Sequence, residues 1–356
     1  MGKSIAREPN RRAIANWLLI GVGMIMVQVL LGGITRLTGS GLSITEWKPI
    51  LGALPPMNEA DWTAAFEKYK QIGQFKHINF DFTLSDFKFI YFWEWFHRQW
   101  ARLIGVVFLI PFVWFIVKGM IAREMVIPMA ILFLLGALQG AIGWIMVKSG
   151  LNEENLYVSH IRLAVHFLSA LGLLCYTLWF AFRLLVDPKD LSPDAPTHKG
   201  ALGLTMLLVV QLAYGAFMAG LKAGAFAPTW PDINGSWWPS GLTDGKGGFF
   251  LTDNPLTVQM VHRLIAYVLA LSILWWTLSS GKRGLKGLLS KTLRLPLLLV
   301  VAQVVLGILT VVNSDDARAL LWLGVAHQFV AMLLLMSMMW VLYLTRPASQ
   351  ALTTRA

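Results

Sequence analysis

The sequence predicts an all-α polytopic membrane protein of eight transmembrane helices, arranged as two four-helix-bundle repeats about a pseudo-twofold axis along the membrane normal. Three observations predict it. Only 14% of the 356 residues are charged, 56% are hydrophobic and the mean hydropathy is +0.61, whereas a soluble domain carries about 25% charged residues. Several apolar runs reach the roughly 20 residues that cross a bilayer as helix. The chain also repeats itself: His97-Arg98 returns as His262-Arg263 at an offset of 165, and His166 returns as His327 at an offset of 161. Four spans per repeat is an even number, so both halves enter the membrane the same way up, as parallel repeats. The halves divide as 1–185 and 186–356.

The elements follow in order. Residues 1–16 are basic and precede an apolar run at 15–36 that lacks a small-residue cleavage site, so it reads as a retained first span. A long loop, 37–92, opens with Gly39-Ser40-Gly41-Leu42, passes Pro55-Pro56 and contains an amphipathic helical stretch at 59–70. Spans follow at 95–117, 124–147, 158–184 and 200–221. A second long loop, 222–255, is dense in Pro, Gly and Trp around Thr229 to Pro239 and reads as a structured cap. Spans at 258–279, 294–312 and 320–344 complete the chain.

Charge orients the spans. Eight spans put both termini on one side, and that side collects 16 basic and 5 acidic residues against 14 and 14 on the other. The whole net charge of +11 therefore lies with the termini, and the positive-inside rule makes that side cytoplasmic. The basicity is topological and indicates no nucleic-acid partner. No Arg/Ser-rich transit segment is evident, which favours a bacterial inner membrane. The single cysteine, Cys175, lies in an apolar run and reads as a small buried hydrophobe. Thiol metal sites and CxxC redox chemistry are excluded.

Ionisable residues inside a membrane are costly and mark function. His97 and His262 open the second and sixth spans. His166 and His327 lie about two turns into the fourth and eighth. All four helices run from outside to inside, so the histidines of each half share a depth. Two imidazoles opposed across a bundle are the ligand set of a six-coordinate haem, so two pairs predict two haem sites near the outer, periplasmic face. No zinc spacing such as His-Glu-x-x-His occurs. His77 and His198 fall in loops and read as solvated; His160 reads as interfacial. Arg98 and Arg263 follow the first ligand of each pair, Arg102 lies one turn on, and Arg162 lies one turn before His166. A guanidinium matches a haem propionate as a fork; snorkelling to the interface is the structural alternative.

Glu94 stands three residues before His97, and Gln259 three before His262, each on its histidine's helix face. A carboxylate there can take a proton, steer water or stabilise positive charge, and Gln cannot do the proton chemistry. Orienting His97 or capping the helix is the structural alternative. The odd-numbered spans also share Gln-x-x-x-Gly, as Gln28/Gly32, Gln139/Gly143, Gln211/Gly215 and Gln303/Gly307. This pattern suits helix packing and equally the lining of a flat cofactor.

The sequence resembles the haem A synthase family over nearly its whole length. The resemblance rests on Arg36-Leu37-Thr38-Gly39-Ser40-Gly41-Leu42-Ser43, Glu46-Trp47-Lys48-Pro49-Ile50, Gly52-Ala53-Leu54-Pro55-Pro56, Glu94 to Arg98, Arg162-Leu163-Ala164 with His166, Asn234-Gly235, His262-Arg263 and His327. It implies an oxidoreductase that oxidises the C8 methyl of haem O to a formyl, through hydroxylated intermediates, to give haem A for cytochrome oxidase. It implies substrate haem O between His97 and His166 with Glu94 catalytic, and haem b between His262 and His327. Some members carry a cysteine pair in an outer loop. This chain has none and resembles the group that includes the mitochondrial enzymes.

Two other classes use the same histidines. A di-haem b-type cytochrome passing electrons from quinol would tolerate Glu94→Gln and hold only haem b. A haem transporter or chaperone would bind haem labilely and form no product. The expected partners of the synthase are haem O, the bilayer, a haem O synthase, an electron donor and a second copy of the chain.

Overall fold

The computed structural model describes residues 10–49, 51–242 and 251–347. Lys3, Arg7, Glu8 and Arg355 of the charge count, and Ile50 of the first-loop motif, lie outside the described residues. Eight helices are long and apolar enough to span a membrane, and there is no strand among the described residues.

In the first half α1 (Arg11–Leu37) leads to a loop bearing α2 (Glu59–Tyr69) and α3 (Gly73–His77). Then come α4 (Leu84–Val117), α5 (Arg123–Lys148) and α6 (His160–Leu185). The second half has α7 (Ala195–Gly220), α8 (Pro255–Gly281), a short α9 (Gly287–Thr292), α10 (Leu295–Val312) and α11 (Ala317–Thr345). The spans match the predicted ones closely except the second, which starts at Leu84 and not at 95. The cause is local. Thr83 and Asp86 form a reciprocal capping box, worth about 1 kcal/mol. The aromatic residues after it then bury against the loop, with Phe87 and Ile90 in one cluster with Leu42, Phe66, Tyr69 and Ile72. His97 therefore lies well inside its helix, not at its start.

Packing makes two rings. Helix α1 packs on α4, α4 on α5, α5 on α6 and α6 on α1; in the second half α7, α8, α10 and α11 close the same way. Helices α4 and α6 thus face each other diagonally, as do α8 and α11. The rings join through α6 against α7 and α11, and α1 against α11. A core of buried apolar residues fills this junction from Val22 and Leu174 to Met332 and Met338. Cys175 is half-buried beside that core.

Prolines inside spans leave carbonyls without an intrahelical donor, and lipid cannot satisfy them. Pro111 frees the carbonyl of Val107, and Trp17 Nε1 donates to it at 3.0 Å. Gly33 of α1 lets α11 come close: an ideal Cβ there would collide with Gln328 Oε1, while Gln328 Nε2 donates to the Val29 carbonyl at 3.2 Å.

The connections at the end that carries both termini are short. Asp194 caps α7 by accepting from Thr197 N at 3.0 Å and pairs with Arg283 at 2.9 Å. Arg283 holds the Asp194 carboxyl down to about 2. His198, predicted as a loop residue, lies in the first turn of α7 with Nδ1 3.0 Å from Thr345 Oγ1. The apolar run begins at 200, but Asp194 starts the helix one turn earlier and so takes His198 in. His77 ends α3 and is exposed.

Candidate functional site

The four histidines lie at one level. Each is about 18 to 20 residues from the C-terminal end of its helix, or about 27–30 Å at 1.5 Å per residue. The four therefore stand at a similar height in the two rings, toward the N-terminal ends of α6, α8 and α11 and inside α4. Within each half the two imidazoles are electrostatic neighbours, His97 with His166 and His262 with His327. They stand on the diagonal helices of their ring.

Each histidine meets one Gln-x-x-x-Gly pair from the preceding span in the chain. Gln28 Nε2 lies 2.9 Å from His97 Nε2, and Gln139 Nε2 lies 3.1 Å from His166 Nδ1. Gln211 Nε2 lies 3.2 Å from His262 Nδ1, and Gln303 Nε2 lies 3.1 Å from His327 Nε2. The glycine one turn on lies against the same ring. A Cβ at Gly143 would stand 2.9 Å from His166 Cε1, and one at Gly307 3.0 Å from His327 Cε1. At these two positions any side chain larger than hydrogen would displace the ring. At Gly32 and Gly215 the gaps to His97 and His262 would be 3.3 and 3.5 Å.

These residues fit a haem. Gln28 Oε1, Gln211 Oε1, Gln303 Oε1 and His327 Nδ1 are buried with no hydrogen-bond partner among the described residues. An unpaired buried polar atom is costly, and a metal-binding imidazole supplies the missing donor through its other nitrogen. Fully buried side chains also stop short of the histidine level. In α4 none occurs between Glu94 and Phe112, and in α11 none before Ala331.

Glu94 is buried, at 2% exposure. Its Oε2 accepts from Ser43 Oγ at 2.7 Å and from the Ile44 N–H at 2.9 Å, and its Oε1 pairs with Arg98. The carboxylate thus docks the Gly39–Ser43 turn onto α4. Gln259 does the mirrored work with the opposite polarity: its Nε2 donates to the Ala227 carbonyl at 2.9 Å. The first loop offers donors at this point and requires an acceptor. The second offers a carbonyl and requires a donor.

The arginines extend these clamps. Arg98 donates to the carbonyls of Ile44 and Glu46, and Arg102 to those of Pro49 and Lys48. Arg263 donates to those of Asp232 and Thr229. Arg162 donates through Nη1 to Ile145 O at 3.0 Å and lines an outer cavity of 810 Å³ with Lys148, Tyr157 and His160. Glu46 is held below the usual carboxylate range by Lys48 and Lys68. Backbone donation from Gly235 lowers Asp232. His160 faces Asp253 at 3.4 Å and the Phe217 ring, at the seam between halves. Sequence reasoning missed Ser43 and Ile44 as partners of Glu94, and Gln328 at the seam. Only the Gly39-Ser40-Gly41-Leu42 turn hinted at the first.

The chain matches the family of cytochrome oxidase assembly proteins over residues 15–339. A heme A synthase of Rhodospirillum centenum is 44% identical over 346 residues, spanning 94% of this chain and 89% of the relative. Those of Flavobacterium psychrophilum and Rhizorhabdus wittichii are 41% and 42% identical, over 94% and 96% of this chain and 98% and 96% of theirs. The chain belongs to the haem A synthase family. In this family member the first-loop motif is the segment that Glu94, Arg98 and Arg102 bind, which explains why a loop and the middle of a helix carry the resemblance together.

Proposed function

We propose that this protein is an oxidoreductase of haem A synthesis, converting the C8 methyl of haem O to a formyl for cytochrome oxidase. The observation that carries the reading is the placement of two histidine pairs on diagonal helices at one depth. In this reading, residues 1–185 hold haem O between His97 and His166, and residues 186–356 hold haem b between His262 and His327. A haem b there supplies one-electron exchange. In net terms the methyl loses two hydrogens and gains one oxygen, a four-electron oxidation that balances as R–CH3 + H2O → R–CHO + 4 H+ + 4 e− with the oxygen counted as water, passing through a hydroxymethyl and a hydrated aldehyde that loses water.

Glu94 is the catalytic carboxylate of this reading. It lies at the outer edge of the substrate half, where it can accept protons as the methyl is oxidised. Its ion pair with Arg98 holds its orientation. Arg98, Arg102 and Arg263 fasten the two caps over the sites. Arg162, with one N–H on Ile145, keeps others for a propionate.

The charge bias supports cytoplasmic termini in a bacterial inner membrane, with both sites at the periplasmic side. An enzyme that makes haem O, an electron donor and a second copy of the chain are the partners of this reading.

The test is to purify the protein in detergent, extract its haems and identify them by chromatography and mass. Haem b together with haem O, a hydroxylated haem O or haem A is the expected result. Haem b alone, from cells that make haem O, would refute the synthase reading.

A further inference from the structure

The chemistry above gives no part to Gln28, Gln139, Gln211 and Gln303, yet each touches one of the four histidines. A helix-packing motif would send these amides to backbone carbonyls or to one another across the bundle. All four lie within 3.2 Å of a ring nitrogen, and among the described residues only Gln139 also reaches a backbone carbonyl. The glycine one turn away lets that ring come close to the same helix, most tightly at Gly143 and Gly307. The module is thus an amide at one edge of the imidazole and bare backbone at its face, and it occurs four times in two repeats.

An imidazole that binds a metal through one nitrogen carries a proton on the other, and an acceptor for that proton fixes the ring's rotation and tautomer. A glutamine amide can serve through Oε1. In Gln28, Gln211 and Gln303 this atom is buried and has no other partner among the described residues. Gln139 differs: its Oε1 accepts from Ser169 Oγ at 2.8 Å, and its Nε2 also donates to the His166 carbonyl at 2.7 Å. Both ends of that amide are taken, so Gln139 packs beside His166 without an acceptor to offer its N–H.

We propose that Gln28, Gln211 and Gln303 are positioning residues, each fixing the rotation and tautomer of one imidazole so that its other nitrogen faces a haem iron. The inference rests on the haem reading of the preceding subsection and deepens it. In these three Gln-x-x-x-Gly pairs the amide orients the ring and the glycine lets it approach.

The experiment uses the full chain in detergent, with Gln211→Leu, Gln211→Glu and, as a control, His262→Ala. The readouts are the midpoint potential and low-spin electron paramagnetic resonance signal of the haem in that half, and its retention during dilution. An acceptor on the imidazole N–H makes the ligand more basic and favours ferric iron. Gln211→Leu is expected to raise the potential and weaken retention about 10- to 100-fold. Gln211→Glu, a stronger acceptor, is expected to lower the potential. The other half's signal stays unchanged in both. A shift of one sign in both variants, or no shift, overturns the proposal, because loss of packing alone cannot distinguish Leu from Glu by sign. Gln303→Leu and Gln303→Glu repeat the test on the opposing ligand if Gln211→Leu does not fold. Should the wild type bind haem while His262→Ala retains it with an unchanged signal, the ligand reading itself fails, and this proposal with it.

Discussion

Replacing Glu94 with Gln removes one charge and one acceptor from a buried three-donor site. The remaining carbonyl can still receive Ser43 Oγ and the Ile44 N–H. The new amide then faces Arg98, donor against donor. Breaking a buried ion pair from one side costs about 3–5 kcal/mol when the partner is stranded. Arg98 is not stranded: its side chain is 20% exposed and it donates to the Ile44 and Glu46 carbonyls. The Glu94–Arg98 pair lies within α4 and does not itself hold the loop. What the loop loses is charge assistance in its two hydrogen bonds from Ser43 Oγ and the Ile44 N–H, about 1–1.5 kcal/mol each and about 2–3 kcal/mol together. At about 1.4 kcal/mol per tenfold, the 43–47 segment should open about 30- to 150-fold more often. Hydrogen exchange of the detergent-solubilised protein measures this directly, with the loop after Ala227 as internal control. Turnover of haem O should fall in the same variant. Unchanged exchange at 43–47 would refute the docking argument, whatever the turnover does, and leave Glu94 with a chemical role alone.

Other outcomes follow from the same geometry. His262→Ala or His327→Ala should each remove the haem of the second half and leave the first half's pair able to bind, read as about half the haem per chain. Gly143→Ala and Gly307→Ala should lower haem loading, because their Cβ atoms would stand 2.9 and 3.0 Å from a ring carbon. Gly136→Ala, with nothing within 4 Å, should be neutral or stabilise by up to about 1 kcal/mol; equal loss in all three would discount the ring contact. Asp194 is lowered to about 2 by Arg283, so its contribution is present above the ordinary carboxylate value. It is lost as pH falls through about 2. Both side chains are partly exposed, at 20% and 40%, so Asp194→Asn should cost at most about 1 kcal/mol at neutral pH and nothing in strong acid, measured by thermal unfolding against pH. Gly33→Ala should displace Gln328 from the Val29 carbonyl and cost about 1 kcal/mol, seen as a lower unfolding temperature.

The number of spans and the pairing of four histidines between two repeats were legible in the sequence. Span length follows from helix rise against bilayer thickness, and two offsets near 163 expose the duplication. The helical stretch at 59–70 was legible too, because amphipathic spacing is a local property. The eleven residues before 95 in α4 were not. They are held by a capping box and by loop packing, which hydropathy does not register.

The tertiary structure decided who meets whom. Gln-x-x-x-Gly in the sequence supported packing and cofactor lining alike; only the bundle brings Gln28 to His97, 69 residues away, and Gln211 to His262, 51 away. The arginines beside the histidines read as propionate partners, whereas the fold directs Arg98, Arg102 and Arg263 to loop carbonyls. The contrast between Glu94 and Gln259 was visible as a difference in chemistry. That it also matches a loop offering donors with an acceptor, and a loop offering a carbonyl with a donor, depends on backbone groups. Periodicity fixes which face of a helix a side chain occupies, but a hydrogen bond is set by a second surface brought there by folding.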